Sequence, residues 1–171
     1  PRSTPLYSSA AADVYKRQIQ GWLADGCAAS MEAVEEAPGN QGLYNGLGLL
    51  WLGIGMPECK RAGAWRERGF VQIADYFGDA ASYPDGSSRE NSYGYVIGAS
   101  REGLRAWEMA AANGWPFPGR LEQAIARRAE FLADVRKPDG SCPWTGDGQR
   151  GDPDEFLRQV ARGGRRGAEW L

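Results

Sequence analysis

Histidine is missing from all 171 residues. That absence removes Ser-His-Asp and Cys-His catalysis and every histidine-ligated metal site, so any chemistry must rest on Tyr, carboxylates, Asn, Gln, Lys or Arg. Cysteine is scarce. Cys27, Cys59 and Cys142 stand far apart and are odd in number, which gives neither a disulfide framework nor a zinc spacing. No metal or other cofactor is expected. An excess of one charge is lacking too. The net charge of −2 argues against a nucleic-acid partner and gives no membrane-surface signal. The basic cluster Arg158, Arg162, Arg165 and Arg166 reads as a helix end and solvated tail. The longest apolar stretch, Gly42 to Met56, falls short of the ~20 residues that span a bilayer. Sustained strand-like alternation is absent throughout.

What remains is ordinary for a globular domain: 42% apolar and 25% charged residues are enough for one real core. Helical patterns recur. Gly21 to Glu36 reads as a first helix, ended by "APGN". "GLYNGLGLLWLGIGM", Gly42 to Met56, is apolar nearly all round and rich in glycine, so it is expected to be the most buried helix, with its glycines admitting close neighbours. Cys59 to Phe77 and Arg120 to Val135 are one-sided helices, Ser92 to Ala112 is a helix between them, and Asp154 to Arg162 is a short last one. Trp51, Trp65 and Trp107 are expected in the core. The turn Pro-Asp-Gly occurs at Pro84 and again at Pro138, 54 residues on. A repeat of that size fits a helical hairpin with its loops. The expected fold is all-α, an incomplete α/α toroid built from helical hairpins, with a plain helical bundle as the alternative.

The two ends look different from the middle. "PRSTPLYSSAAADVYKRQ" starts on Pro1, has no signal-peptide pattern and resembles translated adapter read-through. Residues 1–18 are therefore expected to be a non-native tail, 19–162 a partial toroid domain and 163–171 a truncated tail.

Between the apolar helices lies "YPDGSSRENSYGYV", Tyr83 to Val96. It packs Arg89, Glu90, Asn91, Ser92, Tyr93 and Tyr95 into the entrance of one helix. One reading is a solvated turn with Glu90 and Ser92 as cap and support; the other is the lip of an active site. Three blocks decide what it resembles. They are "NQGLYNGLGLLWLGIGMPE", "DGSSRENSYGYV" and "KPDGSCPWTGDG". In order and spacing they are similar to the heparinase II/III-like polysaccharide lyases, which include alginate and heparan sulfate lyases. The resemblance runs from about Asn40 to Asp152.

That resemblance implies a toroid followed by a β-sandwich domain, absent from this sequence, with an acidic uronate polysaccharide or oligosaccharide bound between them. It also implies a periplasmic or secreted protein. Residue by residue, the family's catalytic Tyr falls on Tyr95 and its carboxylate-binding Asn on Asn40. Gln41, Arg89, Glu90 and Trp144 become candidate substrate contacts or supports. Many relatives carry His where this chain has Gln41 and Val96. The chemistry suits these residue types. Removing the C5 proton of a uronate builds charge beside a carboxylate, which an Asn amide can hydrogen-bond. A Tyr hydroxyl can act as acid, or as base if positive charge lowers its pKa from about 10.

Each candidate also has a structural reading. Asn40 suits a helix N-cap, Tyr95 a packed tyrosine, Asp85 and Asp139 their turns, and Trp144 either sugar stacking or packing. Asp85, Glu90, Asp139 and Asp147 also keep open an α/α-toroid glycoside hydrolase, which needs two carboxyl groups. A non-catalytic carbohydrate-binding toroid segment is the third possibility.

Overall fold

A computed structural model describes residues 6–32, 39–78, 81–146 and 151–164. Among these residues the chain forms helices α1 (Leu6–Glu32), α2 (Asn40–Gly55), α3 (Ala62–Tyr76), α4 (Tyr93–Asn113), α5 (Gly119–Asp134) and α6 (Asp154–Gly164). No strand is present among them, only an isolated antiparallel bridge between Ser82 and Ser88.

The order of contacts reveals two layers. Helix α2 pairs with α3, α4 with α5, and across the pairs α2 touches α4 while α3 touches α5. Helix α6 then continues beside α4. Like positions in successive hairpins thus sit side by side, with α2, α4 and α6 in one row and α3 and α5 in the other. Both Pro-Asp-Gly turns follow a helix of the second row and lead into one of the first. The arrangement is an incomplete α/α toroid, and the 54-residue spacing of the two turns is one hairpin repeat.

The α2–α3 pair is the tightest, because glycines meet glycines. A Cβ on Gly46 would lie 2.9 Å from the Gly69 carbonyl oxygen, and one on Gly69 would lie 2.6 Å from that of Gly46. Further along α2, a Cβ on Gly53 would meet the Ala62 carbonyl oxygen at 2.5 Å. The two backbones touch directly, and Leu43, Leu47, Leu50, Phe70 and Ile73 close around the seam.

The all-round apolar pattern of α2 does not make it buried all round. Tyr44 and Trp51 are exposed, Trp51 at 49%. They lie seven residues apart, on one stripe of the helix. The expectation of a core Trp51 is corrected: the glycine–leucine face takes the contacts with α3, and nothing among the described residues covers the opposite stripe. Helix α3, with its fully buried Trp65, has the larger share of buried positions. Trp107 packs against the main core, partly buried.

The first helix also differs from expectation. It starts at Leu6 rather than Gly21. "SSAAADVYKRQ" lacks an apolar face, but its alanines and long unbranched side chains have intrinsic helix propensity. Propensity extends the helix where periodicity gave no signal. Side chains 13–20 are all exposed; of the described side chains of α1, Ala24, Ala28 and Met31 reach the small second core with Leu49 and Trp65. The "APGN" boundary falls partly outside the described residues. The remaining bounds shift by a residue or two at most ends. Helix α3 starts three residues late, after a turn at 57–61. Helix α4 ends as expected, at Gly114 in the left-handed region (φ 65°), whose N–H caps the last turn.

Replacing Gly69 by Ala should push α2 and α3 apart and cost about 1–3 kcal/mol, a loss of several degrees in Tm. Gly98→Ala, on α4 with no atom within 4 Å of the new Cβ, should instead gain up to about 1 kcal/mol of helix propensity. Thermal melts of the two variants check this; equal effects would contradict the backbone-contact account.

Candidate functional site

Helix α2 begins without a side-chain cap of its own. Gly39 occupies its N-cap position with φ 71° and ψ −148°, and Asn40 is the first helical residue rather than the cap. The first backbone N–H groups of a helix have no partner within it. Here the Asn40 N–H donates to Glu90 Oε1 at 3.2 Å. A carboxylate fifty residues away in the chain therefore caps the helix, with the helix dipole in its favour, worth about 1 kcal/mol or more. The backbone conformation of Gly39 (φ 71°, ψ −148°) is one that favours glycine, and a Cβ there would also stand 2.9 Å from Glu90 Oε1.

Glu90 is delivered by a short hairpin. The Tyr83 and Arg89 N–H groups donate to the Ser87 and Ala81 carbonyls at 2.9 and 3.1 Å. The Ser88 hydroxyl accepts from the Glu90 N–H at 3.2 Å. Asp85 fixes the tip, accepting from both the N–H and the hydroxyl of Ser87. Gly86 (φ 88°) rests on helix α5, where a Cβ would meet the Arg127 carbonyl oxygen at 2.5 Å. After Glu90 the chain turns sharply at Asn91 (φ 52°), a residue type that tolerates this region. Ser92 then takes the N-cap position of α4 but makes no side-chain capping bond. Its hydroxyl is buried without a partner among the described residues. It lines a hollow of about 190 Å³ with Ser87, Ser88, Asn91, Tyr93 and Thr145.

The third block closes on the second. A Cβ on Gly146 would lie 2.9 Å from the Asn91 carbonyl oxygen, so the "PWTG" loop rests on the turn into α4. The Glu90 hairpin thus meets the head of α2 on one side and the third block on the other, and three stretches far apart in sequence converge.

The candidates from sequence fall as follows. Asn40 and Glu90 are joined directly. Tyr95 stands in the first turn of α4, 37% exposed. Gln41 is exposed beside Asn40. Arg89 lies over the Tyr83 ring, 4.7 Å from its centroid. Trp144 is 74% exposed, which excludes the packed-core reading. Val96 is buried. Two residues were not singled out from sequence. Arg128 of α5 is 1% exposed, and Tyr76 at the end of α3 is buried against it, 5.4 Å from ring centroid to guanidinium. Burial lowers the Arg128 pKa, opposed by Tyr76 and Glu90. Burial raises that of Tyr76, opposed by Arg128. The periodic apolar face of α5 around Ile125 and Leu132 hid an arginine at an inward position.

Of the carboxylates that could serve a hydrolase, Asp147 lies outside the described residues. Asp85 and Asp139 are held in equivalent turns. Asp139 accepts from the N–H and hydroxyl of Ser141 at 3.0 and 2.7 Å, which holds its carboxyl down to about 2. The Ser87 bonds lower that of Asp85 in the same way. A general acid needs the opposite shift. No group of three or more His, Cys, Asp or Glu side chains converges among the described residues, and no helix among them is long and apolar enough to cross a membrane.

The fold and the gathered motif loops define a segment of an α/α-toroid protein. The sequence profile of the Heparinase II/III N-terminus family matches residues 28–165, and the chain belongs to that family. A heparin-sulfate lyase of Bacteroides stercoris is 28% identical over 127 residues, which are 73% of this chain and 19% of that protein. Two solved structures of a heparinase III gene product, one with methylated lysines, superpose with TM-scores of 0.66 and 0.67 at 25% identity, over 81% of this chain and 22% of theirs. The chain thus spans about a fifth of the length of these relatives.

The Asp139 turn gives a pH test. Its folded pKa of about 2 lies below the unfolded value of about 3.9. Its contribution to stability is therefore present above pH ~4 and lost as pH falls through ~2. NMR titration should find the Asp139 carboxyl near 2, and Ser141→Ala should move it up towards the ordinary range. A carboxyl that titrates at about 4, the unperturbed value, in both proteins would contradict the turn geometry.

Proposed function

We propose that this chain is the toroid wall of a polysaccharide lyase that cleaves uronic-acid-containing glycans by β-elimination. The single observation that carries the reading is the Asn40–Glu90 hydrogen bond. It ties the block bearing the candidate carboxylate ligand to the block bearing the candidate proton-transfer residue. Asn40 binds the uronate carboxylate and offsets the charge that grows beside it as the C5 proton leaves. The C5–H electrons form the C4–C5 double bond, the C4–O bond breaks, and the leaving oxygen takes a proton. Tyr95 serves these transfers: its hydroxyl gives its proton to the leaving oxygen as the phenolic oxygen takes up the C5 proton, so the residue ends as it began. Arg89 supplies positive charge at the same helix entrance as Tyr95, while Gln41 and Trp144 line the glycan path.

The names of the relatives make a heparan-type glycan the first substrate to test and alginate the second. A β-sandwich domain elsewhere in the full-length protein completes the cleft in this proposal, and this segment alone has little or no activity. The hydrolase reading is not favoured, because Asp85 and Asp139 are committed to their turns as strongly ionised carboxylates.

In the full-length protein, Tyr95→Phe should abolish the ultraviolet-absorbing unsaturated product, since Phe keeps the ring and loses only the hydroxyl. Asn40→Ala should cut turnover by about a hundredfold or more, on the scale of a lost oxyanion donor. Near-full turnover in Tyr95→Phe would refute the assignment.

A further inference from the structure

Helix α5 holds the Glu90 hairpin from inside the core. Arg128 Nη2 donates to the Ser82 hydroxyl at 2.8 Å. Ser82 pairs with Ser88 in the isolated bridge, and the Ser88 hydroxyl accepts from the Glu90 N–H. The guanidinium lies over the Phe77 ring at 4.6 Å and the Tyr76 ring at 5.4 Å. Its Nε and Nη1, the Tyr76 hydroxyl and Glu90 Oε2 are all buried with no hydrogen-bond partner within 3.5 Å among the described residues. Arg128 thus tethers, through Ser82 and Ser88, the hairpin whose Glu90 caps Asn40.

We propose that Arg128 is a positioning residue, which holds the hairpin carrying Glu90 in place through Ser82 and Ser88 and through it fixes Asn40 at the head of α2. The role in catalysis rests on the lyase reading; the role in holding Asn40 does not. Arg128 has no direct part in the chemistry.

The Asn40 amide reports the effect directly. As a first-turn N–H it has no partner within its helix, so its protection from hydrogen exchange depends on Glu90. NMR hydrogen exchange on this chain should show Asn40 protection falling about tenfold or more in Glu90→Ala, which removes the acceptor, and in Arg128→Met. Amides in the middle of α2 should change little. Arg128→Lys, which keeps the charge, should retain part of the protection even if Arg128→Met fails to fold. Unchanged Asn40 protection in Glu90→Ala, or in either folded Arg128 variant, would overturn the proposal. In the full-length protein, Arg128→Lys should lower kcat more than it raises KM. The Tyr95→Phe assay decides the lyase reading separately.

Discussion

The carboxylate of Glu90 is the joint on which the site depends. Its bond to the Asn40 N–H spans the gap between two hairpins and sets the head of α2 against the entrance of α4. A helix end without its own cap has unsatisfied N–H groups, and Gly39 supplies no side chain to meet them. The hairpin that carries Glu90 meets this need from outside. Its own shape depends on Asp85 at the tip, on Gly86 against α5 and on the Ser82–Ser88 bridge. Local turn chemistry thus sets a long-range contact, and that contact sets the candidate site.

The seam between α2 and α3 plays a different part. Gly46, Gly53 and Gly69 let two backbones touch, which makes this hairpin a rigid unit. With α2 held on one side by α3 and at its head by Glu90, Asn40 has little freedom. Placing the candidate ligating group on a well-packed helix rather than a loop is what precise geometry requires.

Much of this was legible in the sequence. The repeated Pro-Asp-Gly turns gave the hairpin period, and Asn113-Gly114 marked the end of α4. The glycine-rich run announced close packing, but not that Tyr44 and Trp51 would stay exposed, since periodicity counts apolar residues without knowing which neighbours exist. Asn40, Glu90 and Tyr95 could be named from their motifs. The bond from Glu90 to the Asn40 backbone could not, because a backbone donor leaves no mark in the sequence. Arg128 was hidden for a related reason. An arginine in a mostly polar amphipathic helix looks like a solvated side chain until the ring faces of Tyr76 and Phe77 and the Ser82 hydroxyl are seen around it.

Elimination and hydrolysis differ in the fate of water, and that difference tests the central claim most directly. The full-length protein would digest a uronate oligosaccharide of known mass, and mass spectrometry would weigh the two products of each cleavage. Elimination adds no water, so the account predicts product masses that sum to that of the starting chain, with the unsaturated fragment one water lighter than its saturated counterpart. Saturated products that together gain one water per cleavage would contradict it.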